Sequence, residues 1–501
     1  MKFVASIDPV TRLEGHMKVE VTIDTVRGRQ QVVDAKAAGT LFRGFENILV
    51  GRDPRDAQHI TERICGVCPI SHAMAAVLAL DSACGVQIPT NALWLRNLVM
   101  GANFIDSHIL HFYLLAIPDY LDGPAKAPWM PTWGVDKRIT GATAQTLIGH
   151  YVQAIAMRRK AHEMGAIFGG KLPHPPTYLA GGFTSEVTEE HITKFLGYLA
   201  ELTSFITDVY LPDVELFGQV YKDYLNIGRG PGNLLAFGCF DLDIAGKSKL
   251  LRRGRVVAGA QSRRSSDDDD DDNDDDDNRV KSGSRTEPVN LSFITEQVSH
   301  SWYQPSRGLN PANGVTSAQY PKPNAYSWLK APRYQAQPYE VGALARMKVN
   351  GDYTGGVSVV DRHRARAQET IKIATAMAGW VAQLKPGEPV YAEPTIPASA
   401  TSYGLTEAPR GALGHWVRIN NGVISHYQVL TPTCWNCSPR DDRRQPGPVE
   451  AALIGTPIRD KNQPIEVLRV IHSFDPCLDC AVHVVQPKAG AKMFAVPSFR
   501  A

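Results

Sequence analysis

Six of the eight cysteines stand in three C-x-x-C pairs, Cys65/Cys68, Cys434/Cys437 and Cys477/Cys480, while Cys84 and Cys239 stand alone. Such a pair turns two sulfurs to one side of the backbone, and four converging thiolates suit zinc, an iron–sulfur centre or a thiophilic metal such as nickel. Zinc ribbons set their pairs roughly 15–20 residues apart. Here 408 residues separate Cys68 from Cys477, and 39 separate Cys437 from Cys477. A zinc knot is therefore better placed between the second and third pairs than between the first and third. A thioredoxin-like role is weaker, because no pair follows a βαβ pattern. His72 follows Cys68 by four residues and His483 follows Cys480 by three.

The elements that must position these thiols are legible in outline. Residues 1–50 alternate polar and apolar positions, as in Lys18-Val19-Glu20-Val21-Thr22-Ile23, which reads as short antiparallel strands. From about 54 to 230 the period becomes helical. Helices are expected over 92–116 and 143–168, and from Thr188, an N-cap followed by Glu189 and Glu190. Their broad apolar faces indicate a bundle. His108, His111 and His150 lie in these helices and read as hydrogen-bonded core residues. A further helix is expected near 363–385, and the last hundred residues read as Gly/Pro-punctuated strands and turns. The fold class is α+β, a central long-helix bundle with small peripheral antiparallel sheets. The expected divisions are 1–53, mainly β; 54–240, helical; 241–290, a low-complexity insertion; 291–483, helical and irregular β; and 484–501, a tail.

The chain has 501 residues, with 53 basic against 51 acidic ones. Ten of the acids are aspartates packed between Asp267 and Asp277. That run lacks the spaced ligands and glycine of an EF-hand loop and reads as a disordered, solvated segment. The near balance argues against a protein built mainly to hold nucleic acid or coat an anionic membrane, although without the aspartate run the rest of the chain is clearly basic. The N-terminus has no signal-peptide h-region, and no stretch of eighteen apolar residues suggests a membrane span.

Six ordered motifs together resemble the large, catalytic subunit of nickel–iron hydrogenases, of the respiratory uptake type. They are Arg12-Leu13-Glu14-Gly15-His16, Phe42-Arg43-Gly44-Phe45-Glu46, and Arg63-Ile64-Cys65-Gly66-Val67-Cys68 with His72. Gly169-Gly170-Lys171-x-Pro173-His174 with Gly181-Gly182, Glu407-Ala408-Pro409-Arg410-Gly411, and Asp475-Pro476-Cys477-x2-Cys480 with His483 complete the set. Only about 245–287 falls outside the resemblance.

The resemblance implies the reaction H2 ⇌ 2H+ + 2e−, beginning with heterolytic cleavage. Cys65, Cys68, Cys477 and Cys480 would bind nickel, with Cys68 and Cys480 bridging to an iron that carries carbon monoxide and cyanide. Arg410 and Thr433 match the cyanide-donor positions, and Pro409 shapes the wall. Cys477, or less readily Arg410, would take the proton, and Glu14 would pass it outward. His72 would tune the sulfur of Cys480. Glu46 and His483 match ligands of a magnesium (or iron) site at the mature C-terminus. Val484 to Ala501 resembles the peptide that a maturation protease removes after nickel-insertion factors have acted, so the chain is expected to be a precursor.

Four retained thiols argue against the related respiratory complex I subunit. Val67 and Leu115 at the gas-channel positions, together with the tail, favour a turnover enzyme over a hydrogen sensor. A structural zinc-thiolate protein is the alternative from a different class. Cys434 and Cys437 stand where relatives have small or hydroxyl residues, and read as small buried side chains. The chain lacks cysteine sets for a relay of clusters, so the resemblance implies an iron–sulfur small subunit as electron outlet. That partner could attach it to a membrane cytochrome b and carry it to the periplasm.

Overall fold

The computed structural model describes residues 2–126, 129–130, 132–259 and 286–480, together with a short strand, Met493–Phe494. Most of the Asp-rich insertion, His483 and the remainder of the tail lie outside the described residues, as does the side chain of Cys480.

The alternating N-terminal sequence forms three antiparallel strands, β1 (Phe3–Ile7), β2 (Met17–Val26) and β3 (Arg29–Gly39). On β2 the apolar members Met17, Val19, Val21 and Ile23 are buried and the polar ones between them are not, as a period of two requires. Met493–Phe494 runs parallel to β1 on the sheet's outer edge. The loop from β1 to β2 carries Arg12, whose guanidinium donates to the Leu115 carbonyl at 2.6 Å and pairs with Asp119.

Short helices α1 (Phe45–Leu49) and α2 (Asp56–Thr61) lead into α3 (Pro69–Cys84). The bundle comprises α4 (Thr90–Leu110), α5 (Gly141–Gly169), α6 (Glu189–Phe205), α7 (Leu211–Val220) and, after α8 (Ala343–Asn350), α9 (Val359–Val381). Thr188 does cap α6, accepting from the His191 amide. The helix expected to run to 116 loosens at His111 into a π turn through Ala116 and ends at Ile117-Pro118, where proline removes an amide donor. Thr90–Asp119 is by length and composition apolar enough to cross a membrane, but 89% of its most apolar window is buried, as in the core helix of a bundle. His108, His111 and His150 are hydrogen-bonded to Glu369, the His472 carbonyl and Asp213.

A three-stranded antiparallel sheet, Ser399–Ala408, Gly411–Asn420 and Val423–Leu430, packs against α3. The residues after it are not the strands and turns expected from their punctuation. They form helices α10 (Pro432–Asn436), α11 (Pro448–Leu453) and α12 (Ile465–Ser473). Pro432 and Pro448 sit at the first helical position, where the missing N–H costs nothing, so the prolines mark helix starts.

Candidate metal centre

Two chain segments more than 400 residues apart form one thiol cluster. Sulfurs of Cys65, Cys68 and Cys477 all lie within 4.8 Å of one another, and all three residues are buried. Cys65 and Cys477 approach to 3.3 Å. Cys480 follows in a 3-10 turn, Leu478–Cys480. The first pair is set locally. Cys65 ends a 3-10 turn and Cys68 caps α3, so the positive end of a helix dipole faces the sulfurs. The amides of Val67 and Cys68 also point at the Cys65 sulfur, at 3.3 and 3.2 Å.

The second pair is set by long-range contacts. Residue 477 pairs with Glu14 in an isolated bridge, and the Leu478 amide donates to the Glu14 carbonyl at 2.6 Å. The Cys477 amide donates to the Thr433 hydroxyl oxygen at 3.0 Å, which leaves the hydroxyl proton for another acceptor. Arg43 bridges the two segments by donating to the carbonyls of Ile64, beside Cys65, and of Asp479. Gly15 makes the approach possible: its φ is +82°, and a Cβ there would lie 2.3 Å from the Asp479 nitrogen.

Arg410 enters from the Ala408–Gly411 hairpin and is buried. Its Nε meets Asp475 Oδ1 at 3.1 Å, while both terminal nitrogens lack a partner among the described residues. Burial opposes the charge, but Asp475 and the thiols Cys477, Cys68 and Cys65 raise its pKa well above the usual arginine value. Two unpaired buried guanidinium nitrogens beside three converging sulfurs fit a metal that carries small acceptor ligands. Pro409 shares the hairpin tip with Arg410 and is buried with it.

Glu14 lies over Gly66, whose Cβ would stand 3.4 Å from Glu14 Oε1. Burial, then the neighbouring Cys65, pushes its carboxyl up to about 7. Gly66 itself is exposed, so the cluster lies one residue below the surface. His72 is fully buried and neutral, its pKa pushed down to about 4 by burial. Its Nδ1 meets His415 Nε2 at 3.1 Å, and His415 Nδ1 meets the Tyr427 hydroxyl at 2.8 Å. His72 Nε2 has no partner among the described residues.

Glu46 stands apart from the three clustered sulfurs, in a pocket lined also by Glu296, Lys330, Cys434 and Asp479. Val429 donates an amide to it at 3.0 Å, and Thr316 a hydroxyl. Cys434 on α10 and Cys437 just after it are buried and join no metal-ligating cluster among the described residues; Cys477 turns to the first pair. Asp475, His415, Tyr427 and Asp479 escaped the sequence reading. Asp475 lies inside the last of the six motifs, whereas nothing in the spacing marks His415 or Tyr427.

The family model described as nickel-dependent hydrogenase matches residues 43–128, 125–354 and 348–483, and one described as HoxL-like matches 5–36. The chain is 40% identical to the periplasmic [NiFeSe] hydrogenase large subunit of Desulfomicrobium baculatum, over 98% of this chain and 96% of that one. It is 33% identical to the uptake hydrogenase large subunit of Bradyrhizobium diazoefficiens, covering 96% and 95%. The Ni-Fe-Se hydrogenase structure from D. vulgaris Hildenborough superposes with a TM-score of 0.88 at 40% identity, covering 96% of this chain and 100% of that one.

Proposed function

The chain belongs to the nickel-dependent hydrogenase family as a large subunit, and from that premise we propose that its thiol cluster holds a nickel–iron centre whose iron carries carbon monoxide and cyanide. It is an oxidoreductase acting on H2, of the uptake kind, that works with a small subunit. The observation that carries the assignment of residues is the convergence of Cys65, Cys68 and Cys477 beside the unpartnered nitrogens of Arg410. Cys480 would complete the set. Several relatives are named for selenium, but every residue of the three pairs here is cysteine, so sulfur alone would bind the metal.

The bound centre would supply the redox and Lewis-acid chemistry that splits H2 heterolytically. Arg410 would donate its free N–H groups to the iron's ligands, with the Thr433 hydroxyl as a second donor. Because thiols and Asp475 keep Arg410 protonated, the Cys477 sulfur is the better proton acceptor. Glu14, joined to residue 477 through the backbone and held near neutrality, would accept that proton and release it past Gly66. His72 would donate from Nε2 to a sulfur, its ring fixed by His415 and Tyr427.

Electrons would leave across the thin cover at Gly66, flanked by exposed Arg63 and part-exposed Val67, to an iron–sulfur small subunit docked there. Glu46, with His483, would hold magnesium or iron in the adjoining cavity, where Lys330 balances Glu296. The family match stops at residue 483, which supports reading Val484–Ala501 as a peptide removed on maturation. Periplasmic export with the small subunit, and contact with a membrane cytochrome b, follow from the same reading. Val67 and Leu115 at the gas-channel positions favour turnover over sensing.

Metal and infrared analysis of the matured heterodimer tests the centre. Nickel and iron in equal amount, with cyanide and carbon monoxide bands, is the expected result. One zinc and no such bands would defeat it.

A further inference from the structure

Only two residues form the tip of the hairpin that carries Arg410: Ala408 pairs with Gly411, leaving Pro409 and Arg410 as the turn. One side of the tip is walled by Val341, whose Cγ2 would lie 2.4 Å from a Cβ at Gly411, and by the backbone of Gly342. Gly411 has φ +135°, and a Cβ there would lie 2.8 Å from the Gly342 nitrogen; a Cβ at Gly342 would lie 3.2 Å from the Arg410 carbonyl oxygen. The other side is held by one fully buried side chain, Arg346 on α8.

A guanidinium has five N–H donors, and all five of Arg346 find acceptors. Nε and Nη2 grip Glu369 at 2.6 and 2.7 Å. Nη1 reaches Glu407 at 2.8 Å and the Ala408 carbonyl at 2.9 Å, and Nη2 reaches the Pro409 carbonyl at 2.8 Å. Two of the five bonds thus end on the backbone directly before Arg410. Both carboxylates are anchored in turn. His108 Nε2 lies 3.0 Å from Glu369, and the Phe237 and Gly238 amides donate to Glu407 at 2.6 and 3.3 Å. The network therefore ties α4, α8, α9 and the Phe237-Gly238 segment to a single turn.

We propose that Arg346 is a positioning residue for Arg410: by fixing the Ala408 and Pro409 carbonyls it sets where the Arg410 guanidinium presents its free nitrogens to the iron's ligands. The proposal rests on the metal-centre reading above. The division of labour is clear in the geometry. Asp475 orients the side chain through Nε, while Arg346 fixes the backbone from which that side chain starts. Lysine would keep the charge but has a single nitrogen, which cannot span two carboxylates and two carbonyls.

The test compares the purified heterodimer with its Arg346→Lys, Arg346→Gln and Arg96→Gln variants, by nickel content, infrared spectrum and turnover. Arg96 is a buried arginine of similar architecture that clamps the carbonyls of Leu179 and Gly182 and pairs with Asp81. The Arg346 variants are expected to retain nickel, to shift the cyanide bands, and to lose about tenfold to a hundredfold in turnover. Arg96→Gln is expected to leave the bands in place. If the Arg346 variants yield no soluble heterodimer, Glu369→Gln loosens the same clamp with Arg346 present, and a smaller shift in the same direction is expected. Unshifted bands in folded Arg346 or Glu369 variants, or an equal shift in Arg96→Gln, overturn the proposal. Absence of the bands from the unaltered heterodimer overturns the metal-centre reading itself, and the positioning role with it.

Discussion

The two halves of the thiol cluster are built on opposite principles. Cys65 and Cys68 are held by their own neighbourhood: a 3-10 turn before them, a helix after them, and two amides that point at the first sulfur. Cys477 is held by contacts from far along the chain. Its position follows from Glu14, Thr433 and Arg43, which come from three distant parts of the chain. The first half is a preformed receptor, and the second is a closure that depends on the whole fold.

The sharpest way to separate the halves is Gly15→Ala. Its φ and the 2.3 Å approach to Asp479 leave no space for a methyl group, so the closing segment must move while the Cys65 loop stays intact. Loss of nearly all nickel from the purified protein is expected; full retention would mean that the closing segment docks without this contact. Glu14→Gln touches the same junction but removes only a titratable proton. Nickel and the infrared bands should remain and turnover should fall by about a hundredfold or more in both directions; normal turnover would remove Glu14 from the proton route.

Thr433→Val takes away one acceptor from the closing segment, the partner of the Cys477 amide. The expected cost is about 1–3 kcal/mol in stability, read by chemical denaturation, with a shift of the cyanide bands. The corresponding loss in the first half is unavailable to side-chain mutation, because its sulfur is served by backbone.

The effect least tied to the metal centre concerns the docking of the C-terminal region on the N-terminal sheet. Glu450 on α11 accepts the Ala37 amide of β3 at 2.9 Å, and burial pushes its carboxyl from 4.5 up to about 7. A raised folded pKa means that the folded state binds the proton more tightly. This contribution is complete below about 4.5 and is lost as pH rises through about 7, at most about 3 kcal/mol. Unfolding measured from pH 5 to 8 should show stability falling with pH, and Glu450→Gln should flatten part of that slope. An unchanged slope would show that the carboxyl is relieved by another group.

What could be read in the sequence divides along the same line. The Cys65 turn, the Thr188 cap and the long helices follow from spacing, because their determinants lie within a few residues. Asp475 could be seen as part of a motif, but its bond to Arg410 spans 65 positions. The His72–His415–Tyr427 chain and the five bonds of Arg346 leave no periodic trace, since each joins strands and helices brought together only by tertiary packing. The short proline-led helices after residue 430 are hidden for a different reason: the same residue that breaks a helix interior is favoured at its first position.

The 412 positions between Cys65 and Cys477 also impose a timetable. At about 5–20 residues per second of synthesis, the first thiol pair leaves the ribosome about 20–80 s before the residue that closes over it. During that interval the early pair, already shaped by its own turn, is open to whichever thiophilic ion arrives first. Metal delivery to this protein is therefore a problem of timing as much as of affinity.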